Sequence, residues 1–491
     1  MWTGCHADRR NRSRRTLISR PVPAMSTELW QKSASELTTG YASGQWSPVE
    51  VIDAILERIE KVNPLINAIV TLDSEGARAA AKASEARWKH GTAIGPFDGV
   101  PISVKDNIPV HGIRTTWGSR LYADFVPVAD ELPIARLRDS GAVVLGKTNC
   151  PEFTLQGYTD NLLFGPTRNP WNLSLTPGGS SGGAVAAVCA GLGPIAIGTD
   201  GGGSIRRPAS HTGLTGLKPS RGRVPRSDAF PAILLDFEAV GPITRTVADL
   251  VLTMRVISES DARDPASHLF SGYPFEVEPE IKCKILFVPR FELSPVDPEI
   301  AASVAASARV LAELGHTVEE GTAPFALDPL NQAWPVVSQV GLAWLLQSHG
   351  DWRGKLTAAI EEVALNGMAR KGTEYFAALD AVKELQRSLS LFFGRFDLIM
   401  TPTAAALPWP AAEPFPKMIA GEQVGPRGHA VFTAFANMCG CPGISIPGNF
   451  STGGLPVGFQ LVAAPGRDGL VCALAAQYES VCPWAERWPP L

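Results

Sequence analysis

The chain has 491 residues, of which 45% are hydrophobic and 19% charged, a balance that excludes a disordered chain, a collagen-like repeat and a coiled coil. Its 44 lysines and arginines against 48 aspartates and glutamates give a formal net charge of −4, which excludes the strongly basic surface of a nucleic-acid-binding protein. We therefore expect a globular protein with a large hydrophobic core and no nucleic-acid partner.

The first 25 residues differ in composition from the rest of the chain. They contain a single acid, Asp8, and six arginines. Residues 13–18 resemble a twin-arginine export signal, but that signal needs an apolar segment of about 7–15 residues after the arginines, and a serine, an arginine and two prolines follow instead. We expect a disordered basic extension over residues 1–25, upstream of a native start at Met25 with Ser26 as the N-cap of the first helix.

Helices and short apolar strands alternate along the rest of the chain. A capping box with proline at the first helical position begins a helix at Ser47, which we expect to end at Asn63-Pro64. Buried strands separated by helices predict the α/β class, with a large mixed, twisted β-sheet between helical layers in one domain over residues 26–491. The other predicted elements are helices over 74–90, 131–140, 300–315 and 355–394, and strands over 100–104, 142–145, 195–197, 398–400 and 444–446.

No segment predicts a membrane span, a disulfide framework or a metal site. The longest uncharged run, residues 169–199, is interrupted by three prolines, which a lipid-facing helix would not tolerate. Eight cysteines are too few for a disulfide scaffold in a chain of this length, and Cys439-Gly440-Cys441 has neither zinc-ligand spacing nor a second ligand cluster beside it. We expect buried thiols, no metal, no cofactor and a cytoplasmic protein that is a monomer or a homodimer.

Three polar segments lie where a core of strands and helices should be apolar. Lys105 ends the strand 100–104, and a buried lysine is unfavourable unless its charge is paired or neutralised. A surface pair with Asp106 is the alternative, which is disfavoured because adjacent residues of a strand point to opposite faces.

The second segment, residues 176–183, contains four glycines around Ser180 and Ser181. A flexible linker has this composition, but a linker would not lead directly into the small-residue helix that begins at Ala184. The third segment places three glycines directly before Ser204, so that successive backbone N–H groups can converge on one point. Such an arrangement suits an oxyanion hole or an anion-binding nest for a phosphate.

A serine nucleophile in these segments would need a base within hydrogen-bond reach. His211 is the only histidine nearby, so a Ser-His-Asp triad is difficult to assemble. A lysine can serve as the base only when it is neutral, which requires its pKa to fall from about 10.4 towards about 7–8. Burial without a nearby carboxylate produces such a shift.

Residues 141–148 match the P-loop pattern and would indicate an NTPase as a remote alternative. A P-loop has its strand before the first glycine and a helix starting at the lysine. Here the apolar strand lies between the two glycines, and Asn149-Cys150-Pro151 follows the loop. We therefore expect a strand rather than a phosphate-binding loop.

Taken together, the three polar segments and their spacing resemble the amidase signature family of serine hydrolases. The similarity covers nearly everything from Met25 onward, which makes residues 26–491 a single amidase domain. The matching positions are Gly178 through Gly183-Ala184, Gly198-Thr199-Asp200, Ser204-Ile205-Arg206, Pro208, Gly213, Gly216-Leu217-Lys218-Pro219, Gly146-Lys147-Thr148-Asn149, Asn169-Pro170-Trp171-Asn172, Thr401-Pro402-Thr403, Gly440 through Pro447 and Gly454 through Leu461.

This resemblance implies a Ser-cisSer-Lys triad. Ser204 would be the nucleophile, Ser180 the serine after a cis peptide bond, and Lys105 the base. The amides of Gly201, Gly202 and Gly203, with that of Ser204, would form the oxyanion hole. Three further residues would support the site: Ser181 by fixing its loop, and Asp200 and Arg206 as a buried pair that shapes the nucleophile turn.

The resemblance also implies hydrolysis of the C–N bond of a small-molecule amide through an acyl-enzyme. The overall pattern is similar to stand-alone bacterial aryl- and alkyl-amidases, including those acting on nylon oligomers and on carbamates, so amide and carbamate both remain open. We expect an apolar or aromatic substrate group from the variable segments. The residues that suggest it are Leu162, Leu163, Phe164, Trp334, Trp344, Phe435 and Met438.

The alternative within the family is the glutamine-hydrolysing subunit of an amidotransferase. Those subunits carry an arginine-rich glutamine-binding stretch before the Thr-Pro-Thr strand, and this chain has Leu365 to Gly372 and then a plain helix instead. A stand-alone hydrolase is therefore preferred, and a non-catalytic binding protein is the fallback.

Overall fold

The computed structural model describes residues 28–277 and 281–491. The predicted extension over residues 1–25 and the helix start at Met25-Ser26 lie outside these ranges. Among the described residues, every helix is too short or too polar to cross a bilayer.

The strands of the described residues are β1 (Ile69–Leu72), β2 (Pro101–Lys105), β3 (Val143–Thr148), β4 (Ile195–Asp200), β5 (Thr215–Lys218), β6 (Ala239–Thr244), β7 (Lys284–Phe287), β8 (Thr317–Glu320), β9 (Leu398–Pro402), β10 (Met418–Ile419), β11 (Glu422–Gln423), β12 (Gly443–Phe450) and β13 (Pro456–Ala463). Within these residues, eleven strands form one mixed sheet at the centre of the fold, in the order β1-β3-β2-β4-β6-β5-β12-β13-β9-β7-β8, and β10 and β11 form a separate two-stranded ribbon.

Helices cover both faces of this sheet. They are α1 (Ala34–Ser43), α2 (Pro48–Ile66), α3 (Ser74–His90), α4 (Leu132–Asp139), α5 (Gly182–Cys189), α6 (Arg206–Thr212), α7 (Val247–Ile257), α8 (Pro298–Glu313), α9 (Asp328–Gln347), α10 (Ala358–Ala369), α11 (Gly372–Phe392), α12 (Ala434–Met438) and α13 (Asp468–Val481).

Successive side chains of a strand point to opposite faces of the sheet, so neighbouring residues pack against different helices. In β4, Ile195 and Ile197 belong to the core shared with α4, α7, α8 and α13, whereas Ala196 packs against α5 and α6. In β9, Ile399 points to the α9–α11 side, opposite its neighbours. The predicted α/β fold with a sheet between helical layers is confirmed.

Differences from the predicted elements occur mainly at their ends. The capping box at Ser47 is present, but α2 continues through Pro64 to Ile66 and ends at Asn67, which adopts a left-handed conformation. The segment 355–394 is helical as predicted, but Arg370 and Lys371 are extended and divide it into α10 and α11. The helix over 74–90, closed by Gly91, is confirmed.

Several strands extend beyond their last apolar residue. β2 includes Lys105, β3 includes Lys147 and Thr148, and β4 includes Asp200. The central strands β2, β3 and β4 are parallel neighbours and are buried along their whole length. Their polar ends therefore meet inside the protein at one edge of the sheet.

The P-loop pattern over residues 141–148 is occupied by β3. Lys147 is fully buried, donates a hydrogen bond to the carbonyl of Ile108, and is followed by an irregular segment instead of a helix. These residues have no phosphate-binding geometry, so the NTPase alternative is wrong.

Candidate active site

Lys105 lies at the carboxyl end of β2 and is completely buried. Its Nζ donates to Ser180 Oγ at 2.7 Å, to Thr199 Oγ1 at 2.9 Å and to the Thr199 carbonyl at 3.2 Å. Burial lowers the pKa of this amine from 10.5 to about 8. Asp106 does not pair with it and is also buried, on the other side of the strand end, where its carboxylate accepts a hydrogen bond from the Thr116 amide at 3.1 Å.

Ser180 lies in the glycine-rich loop before α5, and the peptide bond between Gly179 and Ser180 is cis. The linker interpretation of this segment is wrong, because α5 is buried throughout. A Cβ on Gly183 would lie 2.3 Å from the backbone nitrogen of Asn149, so the helix reaches its neighbour only because this residue has no side chain.

Ser204 lies between β4 and α6 at the base of a cavity, with 7% of its surface exposed. Its carbonyl accepts a hydrogen bond from the Ser181 amide at 3.1 Å, and Ser181 Oγ donates to the Thr199 carbonyl at 3.2 Å. These bonds hold the loops of Ser180 and Ser204 side by side. Within the described residues Ser204 Oγ makes no hydrogen bond, which leaves it free to approach a bound molecule.

The buried side chain of Asp200 holds the turn that carries Ser204 through hydrogen bonds. The carboxylate of Asp200 accepts from the Gly203 amide at 2.6 Å, from the Ile205 amide at 3.1 Å, and from Arg206 Nε at 3.0 Å. Asp200 and Arg206 are both fully buried. Burial alone would raise the pKa of this carboxyl group, but Arg206 and Asn437 outweigh it and hold that pKa well below its usual range.

The hydrogen bond to Asp200 removes Gly203 from the expected oxyanion hole, because its N–H points away from the cavity. Among the described residues the amides of Gly201, Gly202 and Ser204 have no hydrogen-bond acceptor, and all three residues line the cavity. Unpaired N–H groups of neighbouring residues that line one cavity can stabilise a developing oxyanion.

The cavity above Ser204 has a volume of about 410 Å³. Of the seven apolar residues that suggested a substrate pocket, Trp334 alone lines it, and its indole N–H donates to the Gly201 carbonyl at 3.0 Å. Leu162 and Trp344 are exposed on the surface, whereas Phe435 and Met438 are buried in the core. Leu163 and Phe164 are partly buried elsewhere.

Several residues of the site were given no role from the sequence. Thr199 and Asn107 form a hydrogen bond of 3.0 Å and orient the amine of Lys105, while Arg207, Arg427 and His429 line the cavity. Arg207 could have been singled out by its place three residues after Ser204, but the other wall residues come from remote segments of the chain. No group of three His, Cys, Asp or Glu side chains in the described ranges is arranged to hold a metal ion.

Comparison with known proteins gives consistent relatives along almost the whole chain. The model of the Amidase family matches residues 50–472. An acylamidase from Rhodococcus erythropolis is 35% identical over 464 residues, which covers 93% of this chain and 97% of the relative. A glutamyl-tRNA(Gln) amidotransferase subunit from Moorella thermoacetica is 35% identical over 490 residues, covering 94% and 99% respectively.

The solved structures agree with this result. A bacterial aryl acylamidase of the amidase signature family superimposes with a TM-score of 0.85 at 32% identity, covering 94% of this chain and 99% of the other. A 6-aminohexanoate cyclic dimer hydrolase superimposes with a TM-score of 0.83 at 30% identity and the same coverage.

Proposed function

The chain belongs to the amidase signature family of amide hydrolases, and on that basis we propose that it cleaves amides through an acyl-enzyme on Ser204. The observation that carries this proposal is the 2.7 Å hydrogen bond from a fully buried Lys105 to Ser180, beside the loop that presents Ser204. A buried amine with a pKa of about 8 has a neutral fraction near physiological pH, which a general base requires.

In the proposed reaction, neutral Lys105 takes the proton of Ser180 Oγ while Ser180 takes the proton of Ser204 Oγ. Ser204 then attacks the carbonyl carbon, and the negative charge on the carbonyl oxygen is stabilised by the amides of Gly201, Gly202 and Ser204. The proton returns through Ser180 to the leaving nitrogen, the C–N bond breaks, and water releases the acyl group by the same relay.

An apolar or aromatic group on the substrate is supported by the cavity wall. Apolar side chains contributed by separate segments face the space above Ser204: Leu155, Leu234, Trp334, Val363 and Phe415. The similarity to an acylamidase and to an aryl acylamidase favours an N-acyl or N-aryl amide. A carbamate presents the same carbonyl to the same nucleophile and belongs in the same substrate panel.

The identity to amidotransferase subunits supports a second candidate, the hydrolysis of glutamine for a partner protein. Release of ammonia from glutamine by the isolated chain, increased by a partner protein, would favour this candidate. Hydrolysis of anilides without glutaminase activity would favour the stand-alone amidase.

The test of the proposed nucleophile uses p-nitroacetanilide and a fluorophosphonate probe. We expect Ser204→Ala and Lys105→Ala to lose the release of p-nitroaniline while their circular dichroism stays unchanged. The exposed Ser174 provides a matched serine control, and Ser174→Ala should keep full activity. Mass spectrometry should locate the probe on Ser204, and full activity of Ser204→Ala would contradict the proposal.

A further inference from the structure

Two arginines and a histidine line the cavity next to Ser204: Arg207, Arg427 and His429. The proton relay uses none of them. Arg207 is only 6% exposed and His429 only 3% exposed, while Arg427 is partly buried and lies over the Trp334 ring at 4.2 Å from its centroid. The cavity therefore contains two guanidinium groups that are largely withdrawn from water.

The hydrogen-bonding capacity of this cluster is only partly used. Arg207 Nη1 donates to the Gly202 carbonyl at 2.7 Å and to Thr433 Oγ1 at 3.3 Å, and its Nη2 donates to the Gly179 carbonyl at 3.5 Å, but its Nε has no acceptor among the described residues. Both ring nitrogens of the buried His429 are likewise without a partner there. The Arg427 side chain makes no hydrogen bond within the described ranges. Unpartnered donors of this kind are unfavourable unless a bound molecule satisfies them.

Neither arginine has a carboxylate partner among the described residues, although three carboxylates lie near the cavity. Asp200 is saturated by Arg206 and backbone amides. Glu238 lines the wall but pairs with Arg226 at 2.8 Å, and Glu362 is exposed at the rim. A buried Arg207 and a partly buried Arg427 without a counter-ion carry an unfavourable desolvation free energy.

The protonation states of the three groups fit an anionic ligand. Burial lowers the pKa of the guanidinium groups, to about 9 for Arg207 and about 10 for Arg427, and both remain cationic at neutral pH. Burial and the charge of Arg207 hold the pKa of His429 well below its usual range, so that its ring is neutral and offers one N–H donor.

Resting on the amide hydrolysis proposed above, we infer that the substrate carries a carboxylate a few bonds from the scissile carbonyl, bound by Arg207 and Arg427. Arg207 already holds the Gly202 carbonyl at the base of the cavity, which places its charge close to the reacting carbonyl. A guanidinium offers paired donors that match the two oxygens of a carboxylate. The apolar remainder of the wall then receives the rest of the molecule.

Two matched pairs of anilides test this inference. On the acyl side, N-(4-nitrophenyl)succinamate is compared with the 4-nitroanilide of 4-methylpentanoic acid, in which an isopropyl group replaces the carboxylate. On the amine side, 3-acetamidobenzoate is compared with 3-isopropylacetanilide. In at least one pair we expect kcat/KM to favour the carboxylate by about 100-fold or more. A preference for the neutral member in both pairs would overturn the inference.

Arginine variants assign the preference to the cluster. Arg427→Gln should reduce the ratio of kcat/KM for the acidic over the neutral member by at least about 10-fold. The exposed Arg353 stacks over Trp352 outside the cavity, and Arg353→Gln is the control that should keep the ratio. An unchanged ratio in Arg427→Gln would contradict the assignment.

A binding measurement separates this inference from the proposed reaction. In the Ser204→Ala background, calorimetric titration with intact N-(4-nitrophenyl)succinamate reports binding without turnover. We expect binding that weakens at least about 10-fold when Arg427→Gln is added. Binding of that kind together with no hydrolysis by the unmodified chain would refute the reaction alone, whereas hydrolysis of neutral anilides without this binding would refute the carboxylate site alone.

Discussion

The chemistry of single residues in this protein depends on water being excluded from charged groups. Lys105 has no carboxylate partner within the described residues, and its amine is held by hydroxyl and carbonyl oxygens only. Burial disfavours the ammonium form of the amine, so the feature that is unfavourable for a structural lysine suits Lys105 to the proposed role of a base.

The first prediction concerns the pH dependence of that base. Because the protonated amine cannot accept a proton, kcat/KM should rise with pH through about 8 and level off above it. Lys105→Arg keeps a positive charge but stays protonated, so it should lose at least about 10³-fold in kcat at every pH. A profile of kcat/KM that is flat between about pH 6 and 10 would contradict the role of Lys105.

The second prediction concerns the buried pair of Asp200 and Arg206. Asp200→Ala leaves the Arg206 charge buried without its carboxylate, which should lower the free energy of unfolding by about 3–5 kcal/mol. Urea denaturation followed by circular dichroism measures this change. The control is Glu384→Ala, because Glu384 and Arg387 form an exposed pair that contributes less than about 1 kcal/mol. Equal decreases in the free energy of unfolding for Asp200→Ala and Glu384→Ala would contradict this prediction.

At the scale of single elements, α5 shows how small residues bring backbones together. Gly183 lies against the backbone of Asn149, and the whole helix is buried. This contact fixes the loop of Ser180 relative to the end of β3. Tight packing of this kind leaves no room for even one added methyl group.

The third prediction follows from that contact. Gly183→Ala should lower the free energy of unfolding by about 1–3 kcal/mol, because the backbone at Asn149 must move to admit the methyl group. The matched control is Gly372→Ala at the start of α11, where a Cβ meets nothing within 4 Å. That variant should be neutral or more stable by up to about 1 kcal/mol. Thermal and urea unfolding of the two variants measure these changes in the free energy of unfolding.

The sequence predicts the positions of the strands better than their ends. Apolar runs locate β2, β3 and β4, but their last residues are Lys105, Thr148 and Asp200. These polar residues continue the hydrogen-bonded pairing with neighbouring strands, and hydropathy contains no signal for pairing. Of the proposed catalytic groups, Lys105 lies at the end of β2, Ser204 lies just beyond β4, and Ser180 lies in the loop before α5, so motifs rather than periodicity point to them.

The cavity wall was the least predictable part of the candidate site. Lys105, Ser180 and Ser204 each lie in a recognisable sequence motif. The cavity wall, in contrast, is formed by segments that are separated by more than a hundred residues. Of the apolar residues expected there, Trp334 is present because α9 folds back over Gly201. Trp344 is also a tryptophan of α9, but it lies on another face of the helix and is exposed to solvent. Residue type alone does not distinguish the two positions.

At the scale of the whole molecule, distant parts of the chain contribute neighbouring strands to the central sheet. Strands β12 and β13, from the C-terminal part of the chain, lie between β5 and β9. Gln460 of β13 accepts a hydrogen bond from Arg206 Nη1 at 3.0 Å. The turn that carries Ser204 is therefore linked to a residue 254 positions away, and we expect the sheet to unfold as one unit.

The fourth prediction is that the protein unfolds as one cooperative unit. In urea, the loss of anilide hydrolysis and the loss of helical circular dichroism should have the same midpoint, because the site and the sheet share their contacts. Activity lost at a clearly lower urea concentration than the circular dichroism signal would show that the site region opens separately.

The proposed relay and most of the cavity wall are built from different segments of the chain, which has a consequence for protein engineering. The residues of the proposed relay stand on β2, the α5 loop and the β4–α6 turn, whereas much of the wall comes from residues 154–158, 334–363 and 414–430. We expect that randomised libraries or segments grafted from relatives can replace residues of these stretches while Lys105, Ser180 and Ser204 are kept. The substrate range could then be changed without altering the proposed relay.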